Sequence, residues 1–149
     1  MTGVPVTPRG PMDSVGGEGF VNDRLQAAYW ALRVGLGLRA LLAGLDKFFD
    51  VLADWAMYLS PLAERLVPLS ASALMRVVGV IEMAVGAALL AGATRWGGYV
   101  MMAWLLAIAA NLLTTGMFRD LAVRDVEIAI AAFTLARLTE ARAAGGRFA

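Results

Sequence analysis

Two amino acids that carry much of enzyme chemistry are missing from this sequence, which contains no cysteine and no histidine. Without cysteine the chain forms no disulfide, and it offers neither a thiol redox centre nor a thiolate metal ligand. Without histidine it lacks the usual haem ligand and the commonest general base. Metal or thiol chemistry would therefore have to belong to a partner, and no metal site is predicted.

Charge is also scarce, because only 17% of the residues are charged and the net charge is +1. This balance gives no electrostatic case for binding nucleic acid. What the chain has instead is apolar residues, at 60% of the total, against about 45–50% in soluble domains. A membrane protein is predicted, and the length of 149 residues suits one domain.

The apolar runs predict an all-α fold, an integral membrane four-helix up-and-down bundle with a short interfacial helix between helices 1 and 2. The predicted helices cover 23–51, 72–91, 96–114 and 121–140. Residues 1–22 are rich in glycine and proline and predict a disordered N-terminal tail, while 143–149 predict a C-terminal tail. The membrane domain is thus expected over 23–142.

The stretch 52–71 is expected to lie on the membrane surface. Ser60 and Pro61 are typical of an N-cap and a first helical turn, and Pro68 marks the expected end. Four aromatic residues are predicted as interface anchors: Trp55, Tyr58, Trp96 and Tyr99. Arginine counts in the loops favour a cytoplasmic N-terminus and C-terminus in a bacterial inner membrane.

The first helix is unusual because it carries charges within a membrane-spanning stretch. A charge at hydrocarbon depth costs roughly 2.5–3.5 kcal/mol on insertion scales, so these side chains are expected to face other helices. One helical stripe holds Arg33, Gly37, Ala40, Gly44 and Lys47, and its glycines leave room for a neighbouring backbone. A second stripe holds Arg39, Asp46 and Asp50, of which the two aspartates are expected to form an exposed collar.

Depth along the predicted bundle suggests partners for these charges. Arg33 and Glu82 both fall near the midplane and are predicted to pair, whereas Arg39, Asn111 and Asp125 fall in the outer third below Lys47. The candidate buried polar core or ligand site is Arg33, Arg39, Lys47, Glu82, Asn111 and Asp125. Trp104 is expected to pack rather than to form part of a cofactor site.

Three roles for this polar core remain open. It can be structural, fixing helix register through interhelical pairs. It can bind an anionic or quinone-like ligand, with Arg39 and Lys47 as donors and Asp125 or Glu82 relaying protons. It can also contact another subunit.

Ordered motifs across residues 28–140 resemble the DoxX family of small bacterial four-helix membrane proteins. They are Arg33-x-x-x-Gly37 with Gly44 and Lys47, then Gly79-x-x-Glu82-x-x-x-Gly86, then the pair Arg124-Asp125. The resemblance implies a membrane partner in redox machinery, since some relatives are described as subunits of thiosulfate:quinone oxidoreductase or quinol-oxidase systems. Others are linked to oxidative-stress complexes with thiol enzymes.

Two functions follow as hypotheses. In the first, the chain is a non-catalytic accessory subunit of a respiratory, photosynthetic or other redox complex, in contact with lipid and with other membrane subunits. In the second, it is a quinone-binding subunit of an oxidoreductase, with quinone or lipid as the noncovalent ligand. A small transporter is the third and least favoured alternative, because the sequence has no evident repeat.

Overall fold

Four long helices and two short ones make up the part of the chain that the computed structural model describes, residues 12–145. They are α1 (Met12–Asp46), a one-turn 3₁₀ helix (Trp55–Tyr58), α2 (Pro61–Leu66), α3 (Ala71–Ala91), α4 (Thr94–Thr115) and α5 (Arg119–Gly145). Those residues contain no β-strand, so the predicted all-α class is confirmed. Of the two predicted tails, 1–11 and 146–149 lie outside the described residues, and the remainder belongs to the ends of α1 and α5.

Three of the long helices are long and apolar enough to cross a membrane, over Asn22–Asp46, Ala71–Ala91 and Thr94–Thr115. Large apolar side chains also point outward from them, including Leu42 at 58% exposure, Val80 at 54% and Leu113 at 57%. Apolar residues on an outer surface indicate contact with lipid. The chain is therefore a membrane protein in its general class.

The first helix ends earlier than predicted, at Asp46 rather than near residue 51. The Asp46 carboxylate accepts hydrogen bonds from the backbone amides of Val51 and Leu52, and these bonds draw the chain out of the helix. Asp50 completes the turn in the left-handed region at φ 52°, which aspartate tolerates better than most residues. The expected collar is half wrong, because Asp46 is buried while Asp50 is exposed.

The remaining helix ends follow local capping rules. The Ser60 hydroxyl accepts from the amide of Ala63, and Pro61 opens α2, so the predicted N-cap is confirmed. Ser70 caps α3 in the same way. Gly92 and Gly116 end α3 and α4 with positive φ, a conformation that glycine adopts without steric cost.

Two close helix pairs, α1 with α3 and α4 with α5, form the molecule. A Cβ added at Gly44 would lie 2.6 Å from the Gly79 carbonyl oxygen, and one at Gly86 would lie 2.7 Å from that of Gly37. These two glycine pairs bring the backbones of α1 and α3 together and fix their antiparallel register, as the glycine stripe predicted. The pairs then join through α3 with α4 and α1 with α5.

Candidate ligand-binding site

A cavity of about 500 Å³ lies at the end of the helices where α1 and α4 finish and α3 and α5 begin. Each long helix contributes residues to it, and residues of the segment 47–70, here called the cover segment, complete its wall. Its polar lining consists mainly of Arg39, Lys47, Trp55, Tyr58, Glu82, Trp104, Asn111, Arg124 and Asp125. Leucine, isoleucine, valine, methionine and alanine side chains supply the rest.

Lys47 is the most deeply buried cation of this site, with 4% of its side chain exposed. Its Nζ donates to Glu82 Oε2 at 2.5 Å and to the Ala43 carbonyl at 3.4 Å. The same ammonium lies 3.7 Å from the centroid of the Trp55 ring. A carboxylate and an aromatic face thus compensate the burial of one charge.

The predicted pairing of Arg33 with Glu82 is wrong. Arg33 Nε donates to the Leu89 carbonyl at 3.1 Å, and its Nη2 donates to the Leu90 carbonyl at 2.5 Å. These are carbonyls of the last turn of α3, which lack partners within the helix and carry the negative end of its dipole. Leu90 lies about 12 Å beyond Glu82 along the helix axis, so Arg33 lies outside the cavity.

Side-chain direction explains why Lys47, and not Arg33, reaches Glu82. Side chains on an α-helix lean toward the N-terminus of their own helix. Because α1 and α3 are antiparallel, Lys47 and Glu82 lean toward one another, whereas Arg33 leans away from Glu82. The glycine pairs also set Arg33 level with Leu90 and not with Glu82, so the equal depth predicted for Arg33 and Glu82 was wrong too.

A second ion pair joins the two helix pairs across the cavity. Arg39 Nη2 on α1 donates to Asp125 Oδ1 on α5 at 3.1 Å. The aspartate side chain is 4% exposed and the arginine side chain is 34% exposed. Arg124 also approaches Asp125 Oδ1, at 3.7 Å, and is more exposed. Asp125 therefore has two basic neighbours, and Arg39 is also part of the cavity wall.

Asp46 attaches the cover segment to the end of α1. Besides its bonds to the amides of Val51 and Leu52, its Oδ2 accepts from the indole N–H of Trp55 at 2.7 Å. That bond orients the Trp55 ring over Lys47. Trp55, which was predicted as an interface anchor, is thus bonded to Asp46 and lies over Lys47 in the cavity wall.

Asn111 attaches the middle of the cover segment to α4. Its Nδ2 donates to the Tyr58 carbonyl at 2.8 Å, and its Oδ1 accepts from the Ser60 amide at 3.2 Å. The Tyr58 ring packs edge-on against Phe118, with the centroids 4.8 Å apart. Both ends of the Asn111 amide are thus used to hold backbone, which makes this residue a clamp as well as part of the wall.

Trp104 lies on the face of α4 that also carries Ile108 and Asn111, since these positions are four and three residues apart. Its indole nitrogen is buried and has no hydrogen-bond partner. Among the side chains described over 22–144, no other buried polar atom lacks a partner. Buried polar groups in native proteins are nearly always paired. The expectation that Trp104 only packs missed this feature, since the composition around it is purely apolar.

Five of the six predicted site residues therefore line one cavity: Arg39, Lys47, Glu82, Asn111 and Asp125. Sequence reasoning missed Trp104 and Arg124 as parts of the wall. For Arg124 a signal existed, since it adjoins Asp125 in the sequence. Trp96 is 69% exposed at the opposite end of the molecule, where the Tyr99 hydroxyl donates to Glu140.

The lining has three basic and two acidic side chains, a formal charge of +1, set among apolar walls. Such a cavity suits a ligand that has electron-rich oxygen atoms and an apolar body. Within the described residues, no group of three or more acidic, histidine or cysteine side chains is placed to hold a metal ion.

Fold and site together define the general class, an all-helical membrane protein with a cavity of mixed polar and apolar lining at one end of its helices. Comparison of the chain with protein-family models, with curated protein sequences and with solved structures finds no match. Membership of the DoxX family accordingly stays a prediction.

Proposed function

We propose that the chain is an integral membrane bundle in which α5 is the fourth crossing helix. Its residues Val123, Ile130 and Phe133 point outward with exposures of 60%, 61% and 42%. Its span of 27 residues corresponds to about 40 Å. The stretch 128–136 carries no charge, and the charges that flank it include Asp125, which is covered by Arg39. The outward apolar residues and the covered Asp125 support a crossing, and the exposed Glu127 and Arg137 bound the uncharged stretch.

The cover segment then lies at the membrane surface, as the sequence predicts. It exposes apolar residues on the outside of the cavity, with Phe49 at 67%, Val51 at 78% and Leu66 at 72%. Charged residues such as Glu64 and Arg65 alternate with them. This mixture is typical of a segment at the boundary between headgroups and acyl chains. The proposed location is a bacterial cytoplasmic membrane with both termini inside.

Within that bundle, the cavity binds a quinone-class ligand, and the chain serves as a membrane subunit of a redox complex. The carrying observation is the cavity itself, whose volume of about 500 Å³ falls within the ~300–1,000 Å³ typical of small-molecule sites. Quinone oxygens accept hydrogen bonds, and Arg39, whose side chain is 34% exposed, is a donor in the wall. The apolar walls suit the ring and its tail. Electrons would be exchanged with a partner subunit.

A second candidate function is that of an accessory subunit that binds no small molecule. Lys47–Glu82 and Arg39–Asp125 are both closed by direct hydrogen bonds, at 2.5 and 3.1 Å. Direct closure favours a role in holding the helices together for contact with larger subunits.

Titration of the purified protein in detergent with a short-chain quinone, decylubiquinone, tests the proposal. Ala43 lines the cavity, so Ala43→Phe is expected to fill it and to weaken binding at least tenfold. Ala103→Phe, on an exposed position of α4, is the matched control and is expected to bind as the parent does. Equal binding by both variants, or no saturable binding by the parent, would favour the accessory role. Mild-detergent copurification would then identify the partner subunits.

A further inference from the structure

Glu127 lies on the outer face of α5. It is exposed, and so are Val123 and Ile130, one turn to either side of it, at 60% and 61%. Among the described residues, Glu127 has neither a hydrogen bond nor an ion pair. Partners within the chain are found for other charged residues of the long helices: Arg33, Arg39, Lys47, Glu82 and Asp125.

The position of Glu127 along α5 places it within the membrane. Further along the same helix, Arg137 pairs with Glu140, which also pairs with Arg95 in the first turn of α4. These charges mark the end of the bundle opposite the cavity. Glu127 lies about 15 Å from Arg137 along the helix axis, half of the ~30 Å hydrocarbon core. A carboxylate that faces lipid at this depth is costly.

A second exposed charge, Arg76 on α3, differs from Glu127 in depth. It also has no hydrogen bond or ion pair among the described residues. Arg76 lies about 8 Å from Ala71, where α3 begins, and its long side chain leans toward that end and the headgroups. Glu127 lies about 12 Å from the start of α5 at Arg119 and has a shorter side chain. Its partner must therefore lie within the membrane.

The surface beside Glu127 carries an apolar groove and a positive charge. The groove measures about 190 Å³ and is lined by Glu127 and four apolar residues: Leu113, Ala122, Val123 and Val126. Arg124 precedes Glu127 by one turn, and its side chain is 55% exposed. It lies 3.7 Å from Asp125, whereas Arg39 donates to the same carboxylate at 3.1 Å. Arg124 therefore has donors left for a second carboxylate.

We propose that α5 forms the interface of a homodimer in which Glu127 of each copy pairs with Arg124 of the other. This inference rests on the proposed function, which makes α5 a crossing helix. The partner is a second copy because one face supplies both members of the ion pair, and such a face is complementary to itself under two-fold rotation. Copies inserted in the same orientation share an axis along the membrane normal, so their α5 helices run parallel. The paired residues then differ in height by about 4.5 Å, which an arginine side chain spans.

Single cysteines locate the interface in native membranes, since the chain has none of its own. Val123→Cys and Ile130→Cys flank Glu127 and are expected to form a disulfide-linked dimer on oxidation with copper phenanthroline. Val80→Cys is the control, because Val80 is an apolar residue of similar exposure, 54%, on α3. It is expected to cross-link far more slowly.

Charge variants test the ion pair through the dimer dissociation constant, measured by analytical ultracentrifugation in density-matched detergent. Glu127→Leu is expected to raise this constant about fivefold to tenfold, since each dimer loses two interhelical contacts. Glu127→Arg is expected to abolish the dimer, because four arginines then meet, and addition of Arg124→Glu to that variant is expected to restore it. Arg76→Leu removes an exposed charge from α3 and is expected to leave the constant unchanged.

The outcomes separate this inference from the quinone site. Cross-linking at positions 123 and 130 but not at 80, with rescue by the exchanged charges, supports the homodimer. A monomeric parent, equal cross-linking at the three positions, an unchanged constant for Glu127→Leu or a disulfide to a different protein overturns it and leaves the quinone site standing. Failure of decylubiquinone to bind overturns the quinone site and leaves the dimer standing. Evidence that α5 does not cross the membrane overturns the inference and the proposed bundle together.

Discussion

Lys47 and Glu82 meet at 2.5 Å although 35 residues separate them in the chain. Their side chains are 4% and 12% exposed, so removal of either one leaves a buried charge without its partner. Lys47→Met or Glu82→Met alone is expected to lower the free energy of unfolding by about 3–5 kcal/mol. The double variant is expected to lose less than either single one, because neither charge then remains. SDS titration in mixed micelles measures each value.

An exposed pair on α5 supplies the control for that experiment. Arg137 Nη1 donates to Glu140 Oε2 at 2.6 Å, but the arginine side chain is 61% exposed. Arg137→Met is therefore expected to leave stability unchanged within error. Additive losses for Lys47→Met and Glu82→Met would show that the pair is not coupled as described.

The close approach of α1 to α3 makes Gly44 intolerant of even one added carbon. A Cβ there would lie 2.6 Å from the Gly79 carbonyl oxygen and 2.9 Å from Met83 atoms. Gly44→Ala is expected to cost about 1–3 kcal/mol of unfolding free energy, since overpacking shifts backbone. Gly35→Ala on the same helix meets nothing within 4 Å and is expected to be neutral or to stabilise by up to about 1 kcal/mol. The same micelle titration compares them.

Asn111 is expected to control how often the cover segment detaches. It holds the Tyr58 carbonyl and the Ser60 amide by two hydrogen bonds. Asn111→Ala removes both, which at about 1 kcal/mol each shifts the opening equilibrium by roughly tenfold or more. Trypsin cleavage after Arg65 in α2 reports that equilibrium when reclosing is fast.

Thr114→Ala provides the comparison for the cleavage rates. The Thr114 hydroxyl is exposed and donates to a carbonyl of its own helix. Trypsin is expected to cleave the Thr114→Ala variant at the same rate as the parent protein. Equal rates for Asn111→Ala and Thr114→Ala would mean that the cover segment is held elsewhere.

Arg33 is expected to act independently of Glu82. Its guanidinium binds the Leu89 and Leu90 carbonyls at the end of α3, and Arg33→Met is expected to cost about 1.5–3 kcal/mol. In the double variant that also carries Glu82→Met, the two losses of unfolding free energy are expected to add within about 0.5 kcal/mol. A coupling above 1 kcal/mol, obtained from the same double-mutant cycle, would restore the pairing that depth alone suggested.

The absence of native cysteine allows the number of crossings to be counted with single introduced thiols. Ala93→Cys and Ala143→Cys are expected to react with a membrane-impermeant maleimide from one side, and Val51→Cys and Met117→Cys from the other. All four positions are exposed. Labelling of right-side-out and inverted vesicles shows on which side of the membrane each introduced thiol lies. Reaction of positions 117 and 143 from the same side would show that α5 does not cross.

Much of the fold was predictable because helix length, capping and glycine spacing are local properties. The Ser60 cap and the glycine stripe on α1 were both read correctly from residues a few positions apart. Arg39, Asn111 and Asp125, which were predicted to lie at a similar depth from residue counts, line one cavity in the structure.

What failed depended on the register of facing helices and on side-chain direction. Arg33 and Glu82 were predicted at one depth, but the glycine pairs set Arg33 level with Leu90, about 12 Å from Glu82 along the helix axis, and the two side chains also lean apart. Asp46 was expected to be exposed, and its burial depends on the path of the following loop, which returns three donors to it. The unpaired N–H of Trp104 depends on how neighbouring helices pack around its ring, and no pattern in the sequence contains that information.

The two close helix pairs are each contiguous in the chain, since α1 and α3 precede the short turn at Gly92 and α4 and α5 follow it. Synthesis proceeds from the N-terminus, so the first hairpin can dock before the second leaves the ribosome. Lys47 and Glu82 both belong to that first hairpin and neutralise each other there. Arg39 gains its partner Asp125 only after α5 has been made. The bond between them therefore forms only when the second hairpin packs against the first.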